Sequence, residues 1–298
     1  MVSTPTRPKK ARSQKKTAKK TASKSVVRAR HNIDIVWEKL PDDFVLPDDP
    51  VDNTNQPDLA GALSESLSLA GYLSPNAFTS TNYGICAKLD GKTVVKAPDW
   101  AWMPAIKVSK ESVERSYTPH LDGDPPIVVM EFLSYTPGGE YSVKSSYPPG
   151  KRFYYEQILQ VPVYVIFEPK SGTIEVFLLG EDGAYGYYPC EPNEEGLFWL
   201  EAVGLFLGVW EGTRLERTGY WLRWWNPEGQ LLLWGEELTE QERQKAEQER
   251  QKAEQERQKA EQIQRKAVSK LSELGLSVEQ IAETLDISVE EAARFSKS

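Results

Sequence analysis

The sequence predicts a mixed α/β protein. A small central sheet flanked by helices is followed by a long charged helix and a helical hairpin. Three observations carry this. Between residues 58 and 180 the patterns run helix, hairpin, strand, helix, strand, strand. Residues 241–261 are three perfect copies of QERQKAE. Beyond them stand two capping boxes, Ser277-x-x-Gln280 and Ser288-x-x-Glu291, each opening a helix.

The elements follow in order. Residues 1–30 hold 11 Lys or Arg and no acid, with few large apolar residues. Such a segment buries too little to offset its ordering entropy, so a disordered basic arm is expected. It could bind phosphates, or fold back on the rest of the chain, which carries 25 basic against 44 acidic residues. Residues 31–57 are rich in Pro and Asp and read as irregular. Leu59, Leu63, Leu67 and Ala70 form one helical stripe over residues 58–71, with Gly71 as the stop. Residues 83–89, 93–103 and 126–134 read as strands, the first two joined by a tight turn at Asp90-Gly91. Residues 151–160 read as a helix. Residues 161–169 and 173–180 read as paired strands across Lys170-Ser171-Gly172. Short strands rich in Trp and Gly fill residues 184–235.

Each heptad copy carries two acids and two bases, with Ala as its sole apolar residue (Ala246, Ala253, Ala260). A coiled coil needs apolar a and d positions. The expectation is therefore a solvated single helix held by pairs such as Glu247 with Arg250, with weak self-association as the alternative. The string from Leu274 to Phe295 looks like a helix-turn-helix. Residues 277–298 nevertheless carry five acids against two bases, which phosphate repels. A protein-contact role fits that hairpin better than DNA reading. The expected organisation is a basic arm (1–30), a folded domain (31–235), a charged helix (236–267) and a hairpin (268–298).

Composition narrows the chemistry. No run of 18 apolar residues occurs, so no transmembrane helix is expected. The basic N-terminus lacks an apolar stretch, so no secretory signal is expected. Two cysteines and two histidines exclude a disulfide scaffold, a Cys-rich zinc site and an HExxH metal site. A reducing, cytoplasmic setting follows. Carboxylate and lysine chemistry remains. Asp99 and Glu131 each interrupt an apolar strand, and a carboxylate is costly to bury there unless it is paired or binds a cation. Mg²⁺ accepts one or two carboxylates and keeps waters for a phosphate substrate. The competing explanation is two edge-strand carboxylates facing water. Lys144 and Lys151, in and just after the loop 135–150, are candidates to orient water or stabilise developing charge.

These residues carry a resemblance. Pro98-Asp99, then Glu131-Phe132-Leu133-Ser134, then Lys151 with Tyr155, then VPVYVIFEP, resembles the Uma-two family within the PD-(D/E)XK nuclease superfamily. Strings such as KAPDW, GGEYSVK and YYEQILQVP look like its cyanobacterial variants. The resemblance covers roughly residues 58–180. It implies a restriction-endonuclease-like fold and Mg²⁺-dependent (or Mn²⁺-dependent) hydrolysis of phosphodiester bonds in DNA. It implies Asp99 and Glu131 as metal ligands and catalytic groups. The superfamily places a lysine two residues after the Glu, where this chain has Leu133, so the resemblance maps the lysine onto Lys151. It also raises Glu65, on the first helix, as an accessory carboxylate, although a solvated helix face explains that residue better. Many nucleases of this class cut as dimers, so a homodimer is one arrangement open to the chain. The rival expectations are a non-catalytic scaffold on a nuclease fold, docking a protein partner through the C-terminal helices, and a DNA-binding factor of transposition or repair.

Overall fold

In a computed structural model of the 298-residue chain, the described residues are 26–28, 33–41, 55–134, 139–180 and 186–296. They form two compact units, residues 1–231 and 232–298.

The first unit begins with β1 (Val26–Arg28), β2 (Asp34–Val36) and α1 (Asn55–Leu69). There follow β3 (Phe78–Thr81), β4 (Ile85–Leu89), β5 (Lys92–Lys96), β6 (Trp100–Met103) and β7 (Val128–Phe132). Next come α2 (Lys151–Phe153), which runs on as a π-helical turn over Tyr154–Ile158, then β8 (Val163–Glu168) and β9 (Thr173–Leu179). The unit ends with β10 (Tyr187–Pro189), β11 (Phe198–Leu200), β12 (Leu205–Arg214) and β13 (Arg217–Trp225).

The central sheet has six strands in the order β10-β9-β8-β7-β6-β3. β7 and β8 run parallel, and the other neighbours are antiparallel. The parallel pair needs a crossover, and the loop after β7 together with α2 supplies it. All of β7 and all but the last residue of β8 are buried, as expected for strands covered on both faces. A second, antiparallel sheet runs β1-β2-β4-β5, and a third runs β11-β12-β13. One apolar core joins Ile35, Ile85 and Val94 of the second sheet to Phe153, Tyr154 and Tyr155 of α2 and Val129 and Ile166 of the central sheet. The helical segment α2 is thus enclosed. Tyr154 donates to Ile85 O at 3.1 Å, while its neighbour Tyr155 faces β7.

Several sequence expectations meet the structure differently. The run 93–103 is two strands in different sheets, because Ala97-Pro98-Asp99 breaks the ladder between β5 and β6. Residues 34–36, read as irregular, pair with β4 as β2. Val26–Arg28, within the segment read as a disordered arm, pairs with β2. The rest of residues 1–30 lies outside the described residues, apart from these three. The first helix begins at Asn55 rather than 58, and the helix read over 151–160 ends at Ile158. The turn at Asp90-Gly91 is as expected. Both residues have positive φ (47° and 76°), which a two-residue hairpin of this kind requires.

The second unit contains α3 (Gly235–Glu273), α4 (Val278–Leu285) and α5 (Val289–Ser296). Every residue from Thr239 to Lys266 is exposed. Glu240 pairs with Arg243 at 2.9 Å and Glu254 with Arg257 at 3.7 Å, an i, i+3 spacing repeated two heptads apart. Gly275, at φ 90°, ends α3. Both capping boxes form: Ser277 Oγ accepts from Gln280 N, and Ser288 Oγ accepts from Glu291 N. Val268, Ile281, Ala282, Ala292 and Phe295 make a small core among the three helices. Among the described residues no helix is long and apolar enough to cross a membrane.

Candidate active site

β6 and β7 are antiparallel with Trp100 opposite Met130. The next step of that register sets Asp99 beside Glu131. Both are buried, at 7% and 0% exposed. Asp99 Oδ2 accepts the Phe132 N–H at 2.5 Å. Residues alternate between faces along β7, so Val129, Glu131 and Leu133 face α2. Val129 and Leu133 pack into the core that holds Tyr155, and Glu131 enters the same face as its charged member.

Lys151 is the first residue of α2, four positions before Tyr155, a spacing that sets both side chains on one helix face. Lys151 Nζ donates to Glu131 Oε2 at 2.8 Å. The Tyr155 hydroxyl donates to Glu131 Oε1 at 2.8 Å. Each carboxylate oxygen therefore has one charged or polar donor. Glu140 lies on the far side of Lys151, at 3.8 Å.

The preceding loop turns tightly to deliver Lys151. Ser142 O accepts from Phe153 N, and Gly150 N donates to Lys144 O. A Cβ on Gly150 would come within 2.2 Å of Ser142 O, so only glycine fits there. Lys144, the rival lysine, is exposed in this loop. The position after Phe132 is the apolar Leu133, and the ammonium reaches Glu131 from the helix instead.

Burial pushes the Glu131 carboxyl up to about 8 against the pull of Lys151, and the nearby Asp99 charge adds to the rise. Burial draws the Lys151 ammonium down, but Glu131 outweighs it and holds Lys151 above the ordinary lysine range. Burial, followed by the Glu131 charge, raises Tyr155 well above an ordinary phenol. Tyr155 is therefore a fixed donor and not a nucleophile.

The remaining expected residues fall elsewhere. Glu65 on α1 forms an ion pair with Arg214 of β12. The residue of α1 that reaches the site is Gln56, whose Nε2 donates to Phe132 O at 3.0 Å. Phe132 is thus held at its N–H by Asp99 and at its carbonyl by Gln56. The sequence offered little to find Gln56 or Glu140. Gln56 precedes the apolar stripe that marked the helix, and Glu140 is one acid in a loop. Cys86 is buried, with its thiol pushed up to about 12 by burial, which fits a core residue. Among the described residues no three His, Cys, Asp or Glu side chains gather to hold a metal ion. Two carboxylates suffice for Mg²⁺, which completes its shell with water, so Asp99 and Glu131 fit it without a third ligand.

Two adjoining buried carboxylates and a lysine thus stand together at the centre of the mixed sheet. The family model for Uma2, described as putative restriction endonuclease, matches residues 44–209. That is more than half of the chain, and the chain belongs to this family. No curated protein matches it.

Proposed function

We propose that this chain is a divalent-cation-dependent endonuclease that hydrolyses phosphodiester bonds in DNA. The observation that carries the reading is the convergence of Asp99, Glu131 and Lys151 at the buried centre of the sheet, in a member of a restriction-endonuclease-like family. Asp99 and Glu131 would hold Mg²⁺ or Mn²⁺. A bound cation supplies Lewis acidity there, easing deprotonation of a water and offsetting charge that builds on the phosphate.

The chain's own groups do the positioning. Lys151 keeps its proton and is 23% exposed, so N–H bonds beyond the one to Glu131 can orient the attacking water or meet a phosphate oxygen. Tyr155 fixes the second oxygen of Glu131. Asp99 and Gln56 clamp Phe132 from its two backbone groups, which holds the spacing between the carboxylates. Water attacks phosphorus as the phosphorus–oxygen bond to the sugar breaks, in one step, the water's proton passing to solvent and the departing sugar oxygen taking one up from solvent. The basic residues of 1–30 supply affinity that is independent of base sequence.

Calorimetric titration of Mg²⁺ or Mn²⁺ into wild type and Asp99→Ala, alongside plasmid nicking, tests this. Binding and nicking that both vanish in the variant support the assignment. Nicking retained by Asp99→Ala at full metal dependence overturns it.

A further inference from the structure

We propose that a pocket beside the carboxylates seats a phosphodiester group of the substrate strand adjacent to the one being cut. The proposal rests on the nuclease reading and adds a binding subsite to it.

The pocket, about 380 Å³, opens at the carboxyl ends of β7 and β8. That is where parallel neighbours in a sheet collect ligands. Leu133, Ser134, Glu168, Lys170, Asn55 and Arg217 line it. It adjoins the candidate active site along two paths. Leu133 follows Glu131 by two residues on the same strand face. Asn55 precedes Gln56, whose amide holds Phe132 O.

Arg217 marks the pocket as anion-seeking. Its Nη1 is buried and has no hydrogen-bond partner. Its Nη2 reaches Tyr220 O only at 3.5 Å, and the guanidinium lies over the Trp221 ring at 4.4 Å. Stacking fixes the plane of the guanidinium and leaves its N–H edge to be satisfied. The guanidinium lines the pocket, and a phosphate oxygen is the acceptor that its geometry matches best. Lys170 adds a second cation and Glu168 one carboxylate, with Asp58 acting on Arg217 from outside the lining. Arg217 and Lys170 are the two cations that would face the single negative charge of a phosphodiester.

The test uses the full chain. Duplex oligonucleotide binding is measured against salt concentration in a Glu131→Gln background, which prevents cutting. Arg217→Gln and Lys170→Gln are each expected to weaken binding about tenfold and to reduce the log–log salt slope by ~0.9. Lys252→Gln on α3 should change neither. In the Glu131-intact chain, Arg217→Gln should raise KM for nicking more than it lowers kcat, and Arg217→Lys should recover part of the loss. Dimethyl phosphate, a phosphodiester without bases, is titrated in parallel and should bind wild type but not Arg217→Gln.

A wild type that nicks DNA while Arg217→Gln and Lys170→Gln keep full affinity and slope overturns the subsite and spares the nuclease reading. A wild type that binds DNA through Arg217 and Lys170 with the expected salt slope, yet does not nick it under any divalent cation, supports the phosphodiester subsite and removes the nuclease reading. If Arg217→Gln fails to fold by circular dichroism, Lys170→Gln carries the same test.

Discussion

At the centre of the six-stranded sheet, Glu131 is fully buried, with Lys151 on one carboxylate oxygen and Tyr155 on the other. Along α3 the charges are more numerous, yet every residue from Thr239 to Lys266 is exposed and acids meet bases one turn away in water. The same residue types therefore do different work. In the sheet, desolvation makes each charge costly, so each must be held by named partners. On the helix, water screens every pair, so no single pair matters and the sum of helix propensity and pairing holds the element.

Glu131→Ala presses hardest on this contrast. It strands the Lys151 ammonium and leaves a void, and should cost roughly 3 kcal/mol in urea unfolding together with all nicking activity. A loss below 1 kcal/mol would mean that the cluster is solvated like α3. Tyr155→Phe should cost roughly 1 kcal/mol by removing one hydrogen bond to the buried carboxyl, and should lower nicking without abolishing it.

The pH response follows from Glu131. Its folded value, about 8, stands above the ordinary 4.5. A raised value contributes stability below the unfolded value, and that contribution is lost as pH rises through the folded one. Without divalent cation, wild type should therefore melt at progressively lower temperature between pH 5 and pH 9, relative to Glu131→Gln. Mg²⁺ should flatten that difference. Equal slopes for the two proteins would contradict a buried carboxyl with a raised pKa.

The smallest effect belongs to α3. Arg243→Gln should change stability by only about 0.3 kcal/mol, the worth of one exposed pair. Ala253→Ser should do little more, with the chain sedimenting as before. A loss beyond 1 kcal/mol from Ala253→Ser would show that the alanine seam is covered by a second copy, and would bring α3 closer to the buried cluster in kind.

Much of this was legible in the chain because the signals are local. Asp90-Gly91 specifies a hairpin by the φ values those residues tolerate, and the two capping boxes specify helix starts through bonds three residues apart. Asp99 and Glu131 stood out because carboxylates in apolar strands demand a reason. Lys151 and Tyr155, four residues apart, share a helix face by periodicity alone. What was not legible depends on partners distant in sequence. Gln56 meets Phe132 across 76 positions, and Arg217 lines a pocket with Leu133 and Lys170. Pattern also could not divide residues 93–103, since both β5 and β6 are strand-like and only pairing assigns them to separate sheets.

The sequence by itself determined the elements, the turn and cap chemistry, the charged helix and the carboxylate pair, because these depend on backbone preference and on burial cost over a few residues. The tertiary structure decided which lysine faces Glu131. Lys144 and Lys151 are equivalent as text, but Gly150 lets the loop close on Ser142, leaving Lys144 in water and starting α2 against β7. The tertiary structure also paired Glu65 with Arg214 and brought Gln56 of the same helix to the Phe132 carbonyl. Side-chain direction at a site is set by the packing of elements that sequence patterns describe only one at a time.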